Sequence, residues 1–348
     1  MSVRVRPGTA LIVAAAATAA VVATVSPITA TAQSPNDQPL ETAARAAQQV
    51  PFTGVLSVRW TDGPTPREER LEVEGANGSV VVHGGTPSRR DPNAVAVMAS
   101  SEQRFVAHGG GPWNLLWPSA GPGVARPPTG SKYQLTDGAP VVVVNRPARV
   151  VEARHKGALV ERLFLDVETG LLLRREHFEG AGPPDRTVEF ESVTIGGAPP
   201  PLTVPPQAVD HASEVVSQGV PSGVSAPAAL AEGYARVGLY RTAGVVQVQY
   251  NDGLFDLSIF EQEGRLDRGD LPDGERVRIG RAAGWHYEWA GGHVLVWERS
   301  GTVYTAVSDA PLDHIVDAVR SLPPAAASLS FMNRLRQVCR SLVQPFED

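Results

Sequence analysis

The chain has 348 residues, 42% of them hydrophobic and 20% charged, with a formal net charge of −6. This length and composition are typical of two globular domains rather than of a disordered chain. Nucleic-acid binding needs basic residues gathered on one face to neutralise phosphates. No basic cluster in the sequence exceeds pairs such as Arg89-Arg90. We therefore expect no nucleic-acid partner.

The sequence contains one cysteine, Cys339, so an internal disulfide cannot form and the domains must be stabilised by packing. A free thiol can join two chains, so a homo-oligomer stays open, although Cys339 is interpreted as a small apolar residue. Lysine occurs only at Lys132 and Lys156. Arginine in place of lysine, with abundant Ala, Gly and Pro, indicates a high-GC coding sequence.

The N-terminus has the layout of a secretory signal peptide. Arg4 and Arg6 precede the apolar stretch Thr9–Val25, and Ala30-Thr31-Ala32 follows as a small-x-small cleavage site. This order predicts a signal peptide over residues 1–32 and an extracytoplasmic location. Because the apolar stretch is long for a signal peptide, an uncleaved N-terminal membrane anchor stays open as the alternative.

Residues 33–197 are predicted to form an N-terminal domain that is mostly antiparallel β-sheet. Apolar residues at helical spacing from Leu40 to Val50 predict one helix, which Pro51 ends. Runs of alternating or β-branched residues, separated by short Gly-rich turns, then predict consecutive strands. They are 52–60, 70–73, 80–83, 95–98, 104–108, 141–144, 148–154, 160–167, 171–178 and 188–195.

Residues 198–229 are rich in proline and predict a semi-rigid linker, with a short helix over Asp210–Ser217. Residues 230–324 predict a smaller α+β domain, in which Asn251-Asp252-Gly253 forms a hairpin turn. Its helix follows Asp309 as the cap and Pro311 in the first turn. Its predicted strands are 236–240, 245–250, 254–261, 276–280, 284–289, 294–298 and 303–307.

The terminal segment, residues 325–348, spaces apolar residues at helical intervals with arginines between them. This pattern predicts an amphipathic basic helix. Docking on its own domain and contact with a membrane surface or a partner are equally good interpretations.

The sequence offers no constellation that predicts catalysis, a metal site or a cofactor site. The eight histidines are scattered, and no pair has the spacing of a helical metal site. No G-x-S-x-G nucleophile motif and no glycine-rich phosphate loop occur. Asp166 and Glu168 are close in sequence, but they lie in a turn whose geometry polar residues satisfy. We therefore expect a protein that is not an enzyme.

Several segments together resemble the MucB/RseB family of extracytoplasmic sigma-factor regulators, as an actinobacterial-type member. In the N-terminal domain they are Phe52-Thr-Gly-Val55 with Trp60, and Leu163–Glu176, which contains the turn motif D-x-x-T-G-L. In the C-terminal domain they are Tyr250–Leu254, Ser258–Glu261 and Val303–Asp309. The resemblance covers the mature chain except for the linker and the terminal segment. Asn145-Arg146 departs from the Gly-Arg pair expected there.

The resemblance implies a lipoprotein-carrier-like N-terminal domain, a curved antiparallel half-barrel with helices around an apolar cavity. It also implies binding to the extracytoplasmic segment of a membrane-spanning anti-sigma factor, shielding of that segment from proteolysis, and release by an acylated ligand. Candidate cavity residues are Phe52, Trp60, Trp113, Trp117, Leu171 and Leu173. Candidate partner-binding residues are Trp285, Trp289 and Trp297. For all of them, ordinary core packing is the competing interpretation.

Three hypotheses of function remain, favoured in this order. The first is the anti-sigma-binding regulator, which a neighbouring gene for a membrane anti-sigma factor would support. The second is a lipid or lipoprotein carrier of the same N-terminal fold, which a co-purifying acyl ligand would support. The third is a secreted hydrolase, for which the sequence offers no residues.

Overall fold

The computed structural model describes residues 38–76, 79–83, 105–108, 132–197, 214–215, 220–221, 223–242, 245–267, 271, 273–289 and 291–323. Within these ranges, no helix combines the length and the hydropathy needed to cross a bilayer. The predicted signal peptide and the terminal amphipathic segment lie outside the described residues, as does the predicted strand 95–98.

The N-terminal domain begins with helix α1 (Gln38–Gln49), which packs against a ten-stranded antiparallel sheet. The strand order is β4-β3-β2-β1-β10-β9-β8-β7-β5, and β6 pairs with β7 beside β5. Helix α1 buries the alanines and leucine that gave it its helical spacing, including Leu40 and Ala43. The strands are β1 (Phe52–Asp62), β2 (Thr65–Ala76), β3 (Ser79–His83), β4 (Phe105–His108), β5 (Gln134–Asp137), β6 (Val141–Val143), β7 (Arg146–His155), β8 (Ala158–Asp166), β9 (Leu172–His177) and β10 (Arg186–Ile195).

The C-terminal domain is an eight-stranded antiparallel sheet with one α-helix, α2 (Leu312–Arg320). The strand order is β11-β12-β13-β14-β18-β17-β16-β15, and a 3-10 turn, Ala231–Gly233, precedes β12. Helix α2 buries Ile315, Ala318 and Val319. The strands are β11 (Glu214–Val215), β12 (Ala235–Thr242), β13 (Val245–Asn251), β14 (Asp256–Glu263), β15 (Glu275–Ile279), β16 (Ala282–Trp289), β17 (Gly292–Arg299) and β18 (Thr302–Ser308).

Both sheets are open and antiparallel, with few helices, so the predicted α+β class is confirmed. The two domains do not have separate cores. One hydrophobic cluster contains Phe52 and Phe190 of the first sheet together with Trp285 and Val296 of the second. Strand β13 is buried along its whole length, although Gln247 and Gln249 alternate with its apolar residues, because both of its faces are covered.

Two local predictions differ from the structure. The linker helix predicted over Asp210–Ser217 is wrong at its centre, because Glu214 and Val215 form strand β11 on the edge of β12. The unpaired edge of β12 offers these residues backbone hydrogen bonds, and β-branched Val215 suits a strand. Asp309 does not cap helix α2. The cap position is Pro311, which makes no side-chain cap hydrogen bond, and the N–H of Leu312 instead donates to Glu179 Oε1 at 3.4 Å.

The D-x-x-T-G-L turn between β8 and β9 is held by the Asp166 side chain. This carboxylate accepts hydrogen bonds from the backbone N–H and the hydroxyl of Thr169, both at 2.8 Å, and a bidentate pair from Arg146. Gly170 has φ +77°, the left-handed conformation that the motif predicts. A Cβ at Gly170 would lie 2.7 Å from Thr42 Cγ2 of helix α1. The turn therefore needs glycine for its backbone and for its contact with the helix.

Gly170→Val should destabilise the protein more than Gly301→Val. Both glycines have nearly the same φ, +77° and +78°, so the backbone strain of about 1 kcal/mol or more is shared. No atom lies within 4 Å of a Cβ at Gly301, whereas valine at Gly170 meets helix α1. We expect the Gly170 variant to lose about 1 kcal/mol more, measured by urea unfolding. Equal losses would mean that the helix does not constrain the turn.

Candidate functional site between the two domains

The contact between the domains is centred on the buried guanidinium of Arg175, on β9. Its Nε donates to Glu161 Oε1 at 2.5 Å, within the N-terminal domain. Its Nη1 donates to Asp309 Oδ2 at 2.8 Å, in the C-terminal domain. The arginine side chain is 4% exposed and Glu161 is fully buried. Because a buried charge needs a partner, this salt bridge fixes Asp309 against the first sheet.

Arg186, at the start of β10, makes the second cationic contact with the same segment. Its Nη2 donates to the backbone carbonyl of Asp309 at 2.8 Å. Gly292 lies directly beneath it, at φ +127°, and a Cβ there would approach Arg186 Nη1 to 2.8 Å and Ser308 O to 2.2 Å. Glycine at this position therefore lets the arginine of one domain reach the backbone of the other.

A chain of imidazoles and carboxylates continues from this centre. His177 Nδ1 lies 3.2 Å from Glu161 Oε2, and its Nε2 lies 3.8 Å from Glu179 Oε1. The same Glu179 oxygen lies 2.5 Å from His293 Nε2, on β17 of the other domain. His293 Nδ1 is 2.9 Å from His286 Nε2. Glu179 of the first domain thus meets His293 of the second, and His293 in turn contacts His286. We call these eight residues the polar interface: Glu161, Arg175, His177, Glu179, Arg186, His286, His293 and Asp309.

Burial and ion pairing compete in setting the charges of the polar interface. Burial alone would raise the pKa of Glu161, but Arg175 and His177 more than offset this, so the pKa lies below its usual value. For Arg175, burial is likewise outweighed by Glu161 and Asp309, and the pKa is raised. Burial lowers the pKa of Arg186, which Asp309 only partly compensates. The Glu161–Arg175 pair is therefore ionised at neutral pH.

A second contact between the domains lies at the hairpin turn after β13. Asp252 Oδ2 accepts hydrogen bonds from Lys132 Nζ at 2.5 Å and from the Tyr133 hydroxyl at 2.6 Å. Asp252 Oδ1 meanwhile accepts the backbone N–H groups that close its own turn. Nearby, the His155 ring of β7 packs edge-on against His314 of α2, with centroids 4.7 Å apart. The predicted turn is thus also an interdomain anchor.

Four of the six predicted cavity residues lie together, as packed core. Phe52, Leu171 and Leu173 are at most 1% exposed and lie in one hydrophobic cluster, with half-buried Trp60 packed against it. The Phe52 and Phe190 rings meet edge-to-face at 5.7 Å. Trp113 and Trp117 lie outside the described residues. An acyl-binding cavity lined by these residues therefore stays a prediction.

The three tryptophans predicted to bind a partner differ in their surroundings. Trp285 is 9% exposed and belongs to the cluster that both sheets share. Trp297 is fully buried and stacks on Tyr304, with centroids 5.1 Å apart. Trp289 ends strand β16, and its side chain lies outside the described atoms. Partner binding through these side chains also stays a prediction.

Sequence reasoning missed the residues that join the domains. His177, His293 and Asp309 are 16 to 132 residues apart, so no sequence spacing relates them. The available signal was charge within predicted strands. Arg175 on β9 and Glu161 on β8 are both buried, where an unpaired charge would be costly.

No protein-family model matches this chain, and no curated protein matches it significantly. The Pseudomonas aeruginosa MucA/MucB complex is similar at 17% identity and TM-score 0.46, covering 84% of this chain and 100% of that one. A structure of MucB alone has 20% identity, TM-score 0.46, and coverages of 83% and 98%. A LolA superfamily protein from Nitrosomonas europaea has 11% identity, TM-score 0.17, and coverages of 78% and 90%. At these scores the similarities do not assign a family or a function to this chain.

Asp309→Asn should destabilise the protein by about 3 kcal/mol or more, because it removes one of the two carboxylates that neutralise the buried Arg175 guanidinium. The matched control is Asp137→Asn, which breaks an exposed bidentate pair with Arg149 and should cost less than about 1 kcal/mol. Urea unfolding of both variants measures the difference. Equal costs would show that the buried salt bridge does not hold the domains together.

His314→Phe should reduce the pH dependence of stability. Burial, and next the charge of Lys132, lower the pKa of His314 to about 4. Because this lies below the unfolded value of about 6.5, the folded state binds fewer protons, and stability is lost as pH falls from about 6.5 towards 4. Phenylalanine keeps the ring contact with His155 but does not titrate. Between pH 7 and pH 4.5 the wild type should lose about 2 kcal/mol more than the variant. Identical pH profiles would contradict this.

Proposed function

We propose that this chain is an exported, non-catalytic regulator that binds the extracytoplasmic segment of a membrane-spanning anti-sigma factor. Binding would shield that segment from regulated proteolysis, and an acylated ligand would release it. The signal-peptide pattern of residues 1–32 supports export. The carboxylates Asp166 and Glu168, considered above for catalysis, are both bound by Arg146 in a structural turn. This favours a binding protein over a hydrolase.

One observation carries the proposal. The segments that resemble MucB/RseB proteins supply the residues that join the two domains. Leu163–Glu176 contains Arg175, Val303–Asp309 contains its partner Asp309, and Tyr250–Leu254 contains Asp252, the acceptor for Lys132. The resemblance therefore includes the residues that join the two domains as well as those that form each fold. A carrier that needs only the N-terminal domain would have no use for these interdomain contacts.

We propose that the partner docks beside strand β6. Val142 is 71% exposed and Val167 is 65% exposed, and both meet the same residue, since Val142 pairs with Pro147 and the Val167 N–H donates to the Pro147 carbonyl. Among the described strands, β6 pairs only with β7, so its outer backbone groups are available to an added strand. An extended, apolar segment of an anti-sigma factor suits both features.

The proposal is tested by binding and by genetics. The purified outer segment of the membrane anti-sigma factor should bind the mature chain and become resistant to its protease. Val142→Asp should weaken binding at least about tenfold, because it places a charge against an apolar contact. Val220→Asp, which alters an exposed valine of the predicted linker, is the control and should leave affinity unchanged. Calorimetry measures both.

Deletion of the gene should raise the activity of one extracytoplasmic sigma factor without external stress. The carrier alternative predicts no change in sigma activity and acyl ligand bound to the purified protein. A deletion strain with an unchanged regulon, together with a purified protein that ignores the anti-sigma segment, would reject the regulator. Affinity that falls equally in the two valine variants would reject only the docking surface.

A further inference from the structure

We propose that His177, Glu179 and His293 form a binding site for a divalent transition-metal ion, with Zn²⁺ the best fit, that joins the two domains. His177 and Glu179 come from β9 and the segment after it, and His293 comes from β17. The ligand atoms, one from each residue, all lie within 4.8 Å of one another. Two imidazoles with one carboxylate are a ligand set that Zn²⁺ accepts. This inference is independent of the proposed function.

The distances suit a site that closes around an ion with a small movement of one side chain. Tetrahedral zinc with bonds of about 2.0–2.1 Å places its ligand atoms about 3.3 Å apart. Glu179 Oε1 lies 2.5 Å from His293 Nε2 and 3.8 Å from His177 Nε2, one shorter and one longer than this spacing. Glu179 lies outside regular secondary structure and its side chain is 28% exposed, so its carboxylate can shift between the two rings.

An unsatisfied nitrogen points to a ligand at this position. His177 Nε2 has no hydrogen-bond partner among the described residues, although the side chain is only 3% exposed. A buried polar atom left this way is costly unless something binds it. Glu179 is the nearest acceptor, at 3.8 Å, which is beyond hydrogen-bond distance. A metal ion between the three residues would satisfy this nitrogen.

The second nitrogen of each imidazole is already held, as metal-binding histidines require. His177 Nδ1 lies 3.2 Å from the Glu161 carboxylate, and His293 Nδ1 lies 2.9 Å from His286 Nε2. Such outer contacts fix the ring orientation and leave Nε2 as the coordinating atom. His286 is in turn within 3.3 Å of Glu275. Both rings are therefore oriented before any ion binds.

The charge around the site also permits an ion. Two arginines lie nearby, but Glu161, Glu179 and Asp309 outnumber Arg175 and Arg186 by three to two, so the five groups sum to −1. A small cavity beside His177, with room for about one water molecule, is lined by the arginines, Glu161 and Asp309 and not by Glu179 or His293.

Two other groups in the described part of the chain are weaker candidates. His155, Glu232 and His314 also converge, but His314 Nδ1 has no hydrogen-bond partner among the described residues and its Nε2 lies 4.0 Å from Asp313, so this ring is not held in place as His177 and His293 are. His286, Glu288 and His293 would require the His286–His293 contact to break. The first of these groups provides a matched control.

The test uses the full mature chain with Cys339→Ser, which removes its one thiol, after dialysis against a chelator. Co²⁺ is titrated as a spectroscopic probe and then displaced with Zn²⁺. We expect one equivalent of Co²⁺ with the visible absorption of a four-coordinate ion. Zn²⁺ should also raise the melting temperature, because it binds only the folded, joined domains.

Glu179→Gln is the decisive variant, since a neutral amide keeps the hydrogen bonds of this half-exposed segment but binds metal poorly. It should weaken Co²⁺ binding by more than about 100-fold, which is more than the loss of a residue that only hydrogen-bonds a metal ligand would cost. It should also abolish the increase in melting temperature that Zn²⁺ causes. His293→Gln should do the same, and His314→Gln should leave metal binding unchanged. Absence of Co²⁺ binding in the parent chain would overturn the proposal. So would binding that persists in the Glu179 variant or is lost only in the His314 variant.

Discussion

The structure depends on one buried cation, Arg175, placed between a carboxylate of its own sheet and a carboxylate of the other domain. Taking a guanidinium out of water is costly, and the cost is offset only when both Glu161 and Asp309 are in place. The arginine therefore makes the association of the domains a condition of its own burial. Apolar packing joins the two sheets, and this salt bridge, with the contact of Asp252 to Lys132 and Tyr133, orients them.

The same constraint explains the sequence around it. Asp309 follows strand β18 directly, and its second oxygen accepts the backbone N–H of Asp256 at the start of β14. Its carbonyl accepts Arg186, which approaches over Gly292. One residue thus links two strands of its own sheet to two arginines of the other. Substituting it removes contacts on both sides of the interface.

The strands and turns could be predicted because their signals are local. Alternation, β-branched runs and the D-x-x-T-G-L turn place β8, β9 and the left-handed Gly170 from a few adjacent residues. Strand β11 could not be predicted in this way, because its two residues are ordered by the edge of β12 rather than by their own propensity.

The residues of the candidate site could not be predicted from the sequence, for a related reason. Asp309 precedes a helix, as a capping residue would, but its carboxylate pairs with the distant Arg175 instead of capping the helix. The histidines have no motif spacing, because the residues that meet come from strands of different domains. Charged residues inside buried strands were the usable clue, yet they do not say which distant group provides the partner.

If anti-sigma binding requires both domains in one arrangement, then whatever loosens the polar interface releases the partner. A ligand or ion that acts on Glu161, His177 or His293 would then act at a distance from the exposed valines beside β6. The site of regulation and the site of partner binding would then lie at different places on one two-domain body.

If the two domains form one body in solution, the distance between them should be fixed. Spin labels at Thr136 on β5 and Asp313 on α2, both exposed, report this distance in a Cys339→Ser background. We expect a single narrow distance distribution by pulsed electron paramagnetic resonance. A broad distance distribution, with all interface residues unchanged, would contradict a single two-domain body, because domains joined only by a proline-rich linker would sample many separations.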